Sequence, residues 1–393
     1  MRFLHTADWH LGKLLHGKHL TDDQRGLLGQ LCGIIEDTRP DVVLMAGDVY
    51  DRSVPPSAAV ELLDDALSEL VLELGVPVVA IAGNHDSPDR LDFGSRILRG
   101  QGLHVFSKPA AEPGVVTIED QHGPVHITGL PYAEPPQARQ VFDDPGIKTH
   151  DEVVAAQVEA ARDVIPNEEE RSIAVAHVFA QGGELADSER PLAVGGAETV
   201  SASRFDGFDY VALGHLHRRQ QVGEDHIQYS GSLMKYSFDE VHHDKSVHLV
   251  EMDAGGNCEI GRIPLTPERN LRRVEGTLSE IQAGGGGSGD GGESSPDEND
   301  EDYIWVTLEE EGPVVDAMSR IRETYPNALH VEQQARVDGS SLSGLASDLE
   351  AQSEEEVFEE FAAHATGEES LSESHREVLE EAIGRLEKEE RGA

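Results

Sequence analysis

Nine residues in this sequence could do chemistry, and their types recur in short motifs: Asp8 and His10 in "ADWH", Asp48 in "AGDV", Asn84, His85 and Asp86 in "GNHD", His177 in "VAHV", and His215 with His217 in "GHLH". One Gly-Asp pair alone would read as a turn. Together, Asp8, His10, Asp48, Asn84, His177, His215 and His217 form a candidate metal-ligand set. Oxygen and imidazole donors in that mixture suit manganese, iron or zinc better than calcium or a lone magnesium. Seven donors exceed the need of one ion. Two ions roughly 3.5–4 Å apart would use them all if one carboxylate bridged both, and such pairs hydrolyse phosphoesters. Asp48 is the expected bridge, because two cations make its charge tolerable directly after an apolar strand.

The elements that must position these residues are short. Apolar runs such as "VVLMAG", "VVAIAG", "SIAVA" and "YVALG" each stop at one of the candidates. Between them lie helical stretches such as "SAAVELLDDALSELVLEL". Continuous apolar runs alternating with helices predict an α/β fold whose strands are buried on both faces. Sites in such sheets gather at the strand ends, where the candidates fall.

Composition bounds the partners. The 393 residues carry 76 acids against 31 bases, a formal charge of -45. Residues 1–110 hold 16 acids and 10 bases, whereas residues 274–393 hold 32 and 7. Such acidity ordinarily argues against nucleic acid, since phosphates repel it. Adaptation to high salt is the preferred cause, because molar salt screens charges beyond about 3 Å, and the nearly balanced front third is where a DNA-facing site is needed. Cys32 and Cys258 are the only cysteines, so free thiols are expected. There is no long apolar run and no signal-peptide pattern, which predicts a cytoplasmic protein with no membrane contact.

Residues 1–270 read as the main domain. Residues 271–340 read as a small α+β unit in which "YIWVTL" could pair with the earlier "LRRVEG". It is interrupted by an acidic, Gly-rich segment at 283–302, expected to be a flexible linker or loop. Residues 341–393 read as a tail of two acidic helices with narrow apolar stripes, Phe358 with Phe361 and Leu379 with Ile383 and Leu386. Stripes of that kind fit a partner's groove.

The order D-x-H, GD, GNHD, a single His and GHxH resembles the calcineurin-like metallophosphoesterase superfamily. Flanking stretches, among them "HTADWHLGK", "GDVYDRSVPPSAAV" and "GNHDSPDRLDFGSRIL", resemble its SbcD family, the nuclease subunits of bacterial SbcCD complexes. That resemblance implies a β-sandwich flanked by helices, with a capping domain and C-terminal helices. It places Asp8, His10, Asp48 and His217 on one metal and Asp48, Asn84, His177 and His215 on the other. His85 becomes the catalytic histidine facing the scissile phosphate, with Asp86 supporting it. The implied activity is a Mn2+-dependent DNA exonuclease and endonuclease, serving DNA repair, recombination and replication. The implied partners are an SbcC-type coiled-coil ATPase, DNA, and a second copy within a heterotetramer. Arg218 and Arg219 could meet DNA phosphate or simply be exposed. A stand-alone phosphatase or nucleotidase is the alternative, although it leaves the helical tail without a use. A scaffolding subunit with a decayed site fits poorly, since every motif position holds a competent residue.

Overall fold

The computed structural model describes residues 1–167, 169–185, 189, 198–284, 287–288, 301–310 and 312–334. The tail residues Phe358, Phe361, Leu379, Ile383 and Leu386 lie outside the described residues. Residues 1–308 and 315–332 form one compact unit. Among the described residues a second comprises 309–310, 312–314 and 333–334, where the Gln333 amide donates to the carbonyl oxygen of Gly312 at 2.5 Å.

Two six-stranded sheets make up the first 264 residues. One runs in the order Cys258–Pro264, Ser246–Met252, Arg2–Thr6, Val42–Met45, Val78–Ile81, Leu103–Phe106. The other runs Gln220–Gln221, Ile227–Tyr229, Tyr210–Gly214, Arg171–His177, Gly123–Leu130, Val115–Asp120. The sheets face each other through Phe3, Leu44, Val79, Ile127, Val175 and Ala212. Successive strand residues point to opposite faces, so Leu4, Val43 and Val78 pack outward against Leu27, Leu31 and Leu62 of the helices Thr21–Thr38 and Ser57–Ser68. On the far side, Ala174 and Val211 meet Val154 and Val158 of the helix His150–Asp163. Burial on both faces of both sheets is why the strands read as unbroken apolar runs.

The central strands of each sheet run parallel, with Thr6 opposite Met45, Met45 opposite Ala80, and Gly214 opposite His177. Their carboxyl ends therefore share one rim. Two histidines outside the motifs are structural: His5 is buried and its ring contacts the Tyr210 hydroxyl at 3.0 Å and the Leu213 carbonyl at 3.1 Å, while His126 is held by Thr117 and Glu170. Cys32 and Cys258 are free thiols, and burial pushes each up to about 12. Among the described residues no helix is long and apolar enough to cross a membrane.

Beyond residue 270, Leu271–Gly276 pairs in parallel with Tyr303–Leu308, and Ala328–Gln333 completes that side of a small sheet. Within the segment expected to be a flexible linker or loop, Gly287 and Ser288 pair antiparallel with Val274 and Glu275. A strand edge carries unpaired backbone donors and acceptors, and two small residues satisfy them without needing a side-chain signal. The small sheet is tied to the sandwich through buried Asp23, which accepts from Arg269 at 2.6 Å and from the Tyr303 hydroxyl at 2.7 Å.

Candidate metal centre

All seven candidate ligands and His85 gather at the shared rim, and seven of these eight residues line one cavity there, His10, Asp48, Asn84, His85, His177, His215 and His217. Asp8, His10 and His217 present ligand atoms within 4.8 Å of one another, and so do Asp8, Asp48 and His177. Asp48 Oδ2 lies 3.6 Å from His10 Nε2 and 3.4 Å from His177 Nε2. The Asn84 amide oxygen sits 3.0 Å from His177 Nε2 and 3.1 Å from His215 Nδ1.

The loops that deliver them are strained. Asp8, His10, Asp48 and His215 all have positive φ, at 52°, 43°, 48° and 104°, a region costly for side chains other than glycine. Short cross-links hold them: His10 N–H donates to the Asp48 carbonyl at 2.9 Å, His85 N–H to Asp48 Oδ1 at 2.9 Å, and His215 N–H to Asp8 Oδ1 at 2.9 Å. Glycine is required where the loops touch. A Cβ on Gly47, at φ 87°, would sit 2.4 Å from His177 Nδ1, and one on Gly83 would sit 2.1 Å from Asp48 Oδ1.

The donor set fits divalent cations. His10 Nε2 faces His217 Nε2 at hydrogen-bond distance, 3.1 Å, so two imidazole nitrogens converge on one point. His10 Nδ1 is buried with no hydrogen-bond partner. His177 donates through Nδ1 to the Ala46 carbonyl at 2.8 Å, which leaves Nε2 as the donor atom toward the cavity. Charge is concentrated to match. Burial raises Asp8 to about 6, against the pull of His177 and His217. Burial acts the same way on Asp48, but the imidazoles of His177, His10 and His85 hold it well below the usual carboxylate range. His177 is lifted to about 9 despite its burial, by Asp48 and Asp8, whereas burial and His177 push His215 down to about 3. Two buried carboxylates facing four imidazoles this closely make a site to which a divalent cation would be drawn.

The chain also has relatives by sequence. Over 371 residues the chain is 31% identical to the D subunit of the SbcCD nuclease of Staphylococcus epidermidis, covering 93% of this chain and 94% of that protein. Residues 1–219 match the calcineurin-like phosphoesterase family. The chain belongs to the calcineurin-like phosphoesterases, in their SbcD branch. Residues 267–366 of this phosphoesterase also match the SbcD_C family, described as a Type 5 capsule protein repressor C-terminal domain. Solved structures from Thermus thermophilus and, for a dimetal phosphatase, from Danio rerio are each 13% identical with a TM-score of 0.38; they cover 66% and 68% of this chain and 98% and 99% of their own. At that score neither bears on the assignment.

Asp86 corrects an expectation. Its carboxylate accepts from the backbone N–H groups of Val49, Tyr50 and Gly83, at 3.1, 2.9 and 2.9 Å. It therefore clamps the loop bearing Asp48 rather than supporting His85. The support of His85 comes from the Asp51 carbonyl, 2.8 Å from its Nδ1. Arg218 pairs with Glu184, and Arg219 is exposed.

The motifs miss several residues of this phosphoesterase's site. Glu240 is fully buried and accepts from His217 Nδ1 at 2.9 Å. Lys245 donates to Glu240 at 2.6 Å, to the His217 carbonyl at 2.8 Å and to Ser232 Oγ at 2.8 Å. Burial opposes the charge on Glu240, but Lys245 and His217 hold it well below the usual range. Lys13 reaches Asp51 at 2.8 Å and lines the cavity. Glu240 and Lys245 lie in the stretch "SFDEVHHDK" after the last motif, and Lys13 ends the stretch "HTADWHLGK".

Proposed function

We propose that this phosphoesterase is a metal-dependent DNA nuclease, an exonuclease on duplex ends and an endonuclease on single strands or hairpins, acting as the D-type subunit beside an SbcC-type ATPase. The observation that carries it is the convergence of six oxygen and imidazole donors with His85 at one cavity, with Asp8 grouped beside His10, His217, Asp48 and His177. The extent of likeness to a protein named as a nuclease subunit supports the choice of DNA over other phosphoesters.

Asp8, His10, Asp48 and His217 would hold one divalent cation, and Asp48, Asn84, His177 and His215 a second, with Mn2+ the expected ion. When bound, the cations supply Lewis acidity toward a phosphoryl oxygen and acidify water at neutral pH. The chain's own groups do the rest. His85 donates Nδ1–H to Asp51, so Nε2 is the ring nitrogen free to exchange a proton at the leaving oxygen, a contribution of about 10²–10⁴-fold. Lys13 brings positive charge to the cavity edge, where a substrate phosphate can compete for it.

The partner assignments belong to the same reading. Phe93, in the turn before the short helix Ser95–Leu98, and Ile97 within it are 86% and 81% exposed, apolar surface suited to pairing with a second copy. The capping unit from 271 would border the DNA, and the tail from 341 would dock on the ATPase coiled coil.

The test strips the purified protein with chelator and restores single divalent metals against single-stranded, hairpin and duplex-end DNA. Manganese should restore cleavage, Asp48→Ala should abolish it, and His85→Ala should keep metal binding while losing turnover. Cleavage by Asp48→Ala at the wild-type rate would refute the assignment.

A further inference from the structure

The cavity at the metal centre, about 410 Å³, extends well past the ligands, and its volume lies in the roughly 300–1,000 Å³ range of small-molecule sites. Its far wing is walled by Tyr132, His150, Phe179, Val153, Val154 and Val200. None of these is a candidate metal ligand. Tyr132 lies just past the strand Gly123–Leu130, fixed by its N–H to the Ala82 carbonyl at 3.0 Å. His150 opens the helix His150–Asp163 and stacks on Tyr132, with centroids 5.4 Å apart and planes inclined by 29°. Phe179 leans against the candidate ligand His215, centroids 6.5 Å apart, and so joins the wing to the metal end. The valines are buried. This is a slot with aromatic walls and an apolar floor, opening onto the place where a phosphate would react.

Charge decides what it accepts. Among the described residues lining the cavity, Lys13 is the only lysine or arginine, and it pairs with Asp51. The wing instead carries carboxylates: Glu134 accepts from the Tyr132 hydroxyl at 2.7 Å, and Glu198 lines the same wall. A second phosphate entering there would be repelled. A flat neutral group with polar edges would not, since rings stack it and carboxylates accept its N–H groups.

We propose that the wing takes the nucleobase of a nucleotide flanking the cleaved phosphodiester, unstacked from its neighbours and held against Tyr132 and His150. This rests on the nuclease reading. It adds a requirement that the metal centre alone does not impose: the nucleotide beside the reacting bond must be free to leave its stack. Frayed ends, single strands and hairpin loops meet that requirement at lower cost than paired duplex.

The experiment compares kcat/KM of the manganese-loaded full chain on a thymidine trinucleotide and on two analogues, each abasic on one side of the cleaved bond. One analogue should lose roughly 5- to 150-fold, the range expected for one base stacked on an aromatic ring. In Tyr132→Ala that ratio should fall toward one; Tyr132→Phe, which keeps the ring, should retain it. His150→Ala serves as a second probe if Tyr132→Ala does not fold. Equal cleavage of all three substrates by the wild type, or a ratio that survives both alanine variants, overturns the proposal. If the wild type cleaves nothing, the nuclease reading fails. The slot is then read by saturation-transfer NMR of thymidine with chelator-treated protein. Transfer to the base protons that is lost in the alanine variant supports the slot, and its absence in the wild type overturns it.

Discussion

Glu240→Gln separates positioning of a ligand from mere packing. Glu240 is fully buried between His217 Nδ1 at 2.9 Å and Lys245 Nζ at 2.6 Å. A carboxylate on the far nitrogen of a metal-binding histidine fixes its tautomer and raises its basicity, and loss of such a partner typically costs 10–100-fold in metal affinity. That corresponds to about 1.4–2.8 kcal/mol. The glutamine can still accept from Nδ1, but it turns an N–H group toward the Lys245 ammonium. Breaking a buried ion pair costs about 3–5 kcal/mol, softened here because Lys245 keeps the His217 carbonyl and Ser232 Oγ at 2.8 Å each. The double variant Glu240→Gln with Lys245→Met removes the stranded charge, and the His217 carbonyl retains the Ser232 N–H at 3.2 Å. The single variant should be destabilised in urea and the double should recover most of the loss. In calorimetric titration with manganese, both should bind at least 10-fold more weakly than wild type, the lower end of that range. A folded variant with affinity within about twofold of wild type would refute the positioning role.

Three further outcomes are expected. Arg171 grips Asp120 through both terminal nitrogens, at 2.9 and 2.6 Å, and holds its carboxyl well below the usual range. Its contribution is therefore present above about pH 4 and lost as pH falls through the depressed folded value; Asp120→Asn should cost about 3 kcal/mol at about pH 6, with the gap to wild type closing only below about pH 4 in acid melts. Gly47→Ala should lose about 2 kcal/mol or more and weaken metal binding, since the new Cβ would lie 2.4 Å from His177 Nδ1 at φ 87°; unchanged melting and affinity would contradict that close approach. The charge of -45 predicts a melting temperature that rises between about 0.1 and about 2 M potassium chloride as screening shortens, and a flat or falling curve would count against salt adaptation.

The seven ligand candidates and His85 were legible because each follows an apolar run, and parallel strands bring such ends to one rim. Asp86 was visible as a residue but not in its role, because its partners are the N–H groups of Val49, Tyr50 and Gly83, which any residue but proline would supply. Glu240 and Lys245 escaped for a related reason. An acid and a base in a chain with 76 acids and 31 bases carry no mark until the fold buries them together. Gly287 and Ser288 pair through backbone alone, which composition cannot announce. The two stacked rings of Tyr132 and His150 stand 18 positions apart with no shared period.

The candidate ligands are spread from Asp8 to His217, and each strand end contributes only one or two of them. No fragment of the sandwich can assemble a working set, because Asp8 needs the His215 N–H and His177 needs the Ala46 carbonyl. Long-range closure of this kind is slow to form, so a chain emerging from the ribosome stays chemically silent until more than half of it has been made. Cation binding then adds its free energy only to the completed structure. For a protein read as a cutter of DNA, harmlessness during synthesis is built into the order of its strands.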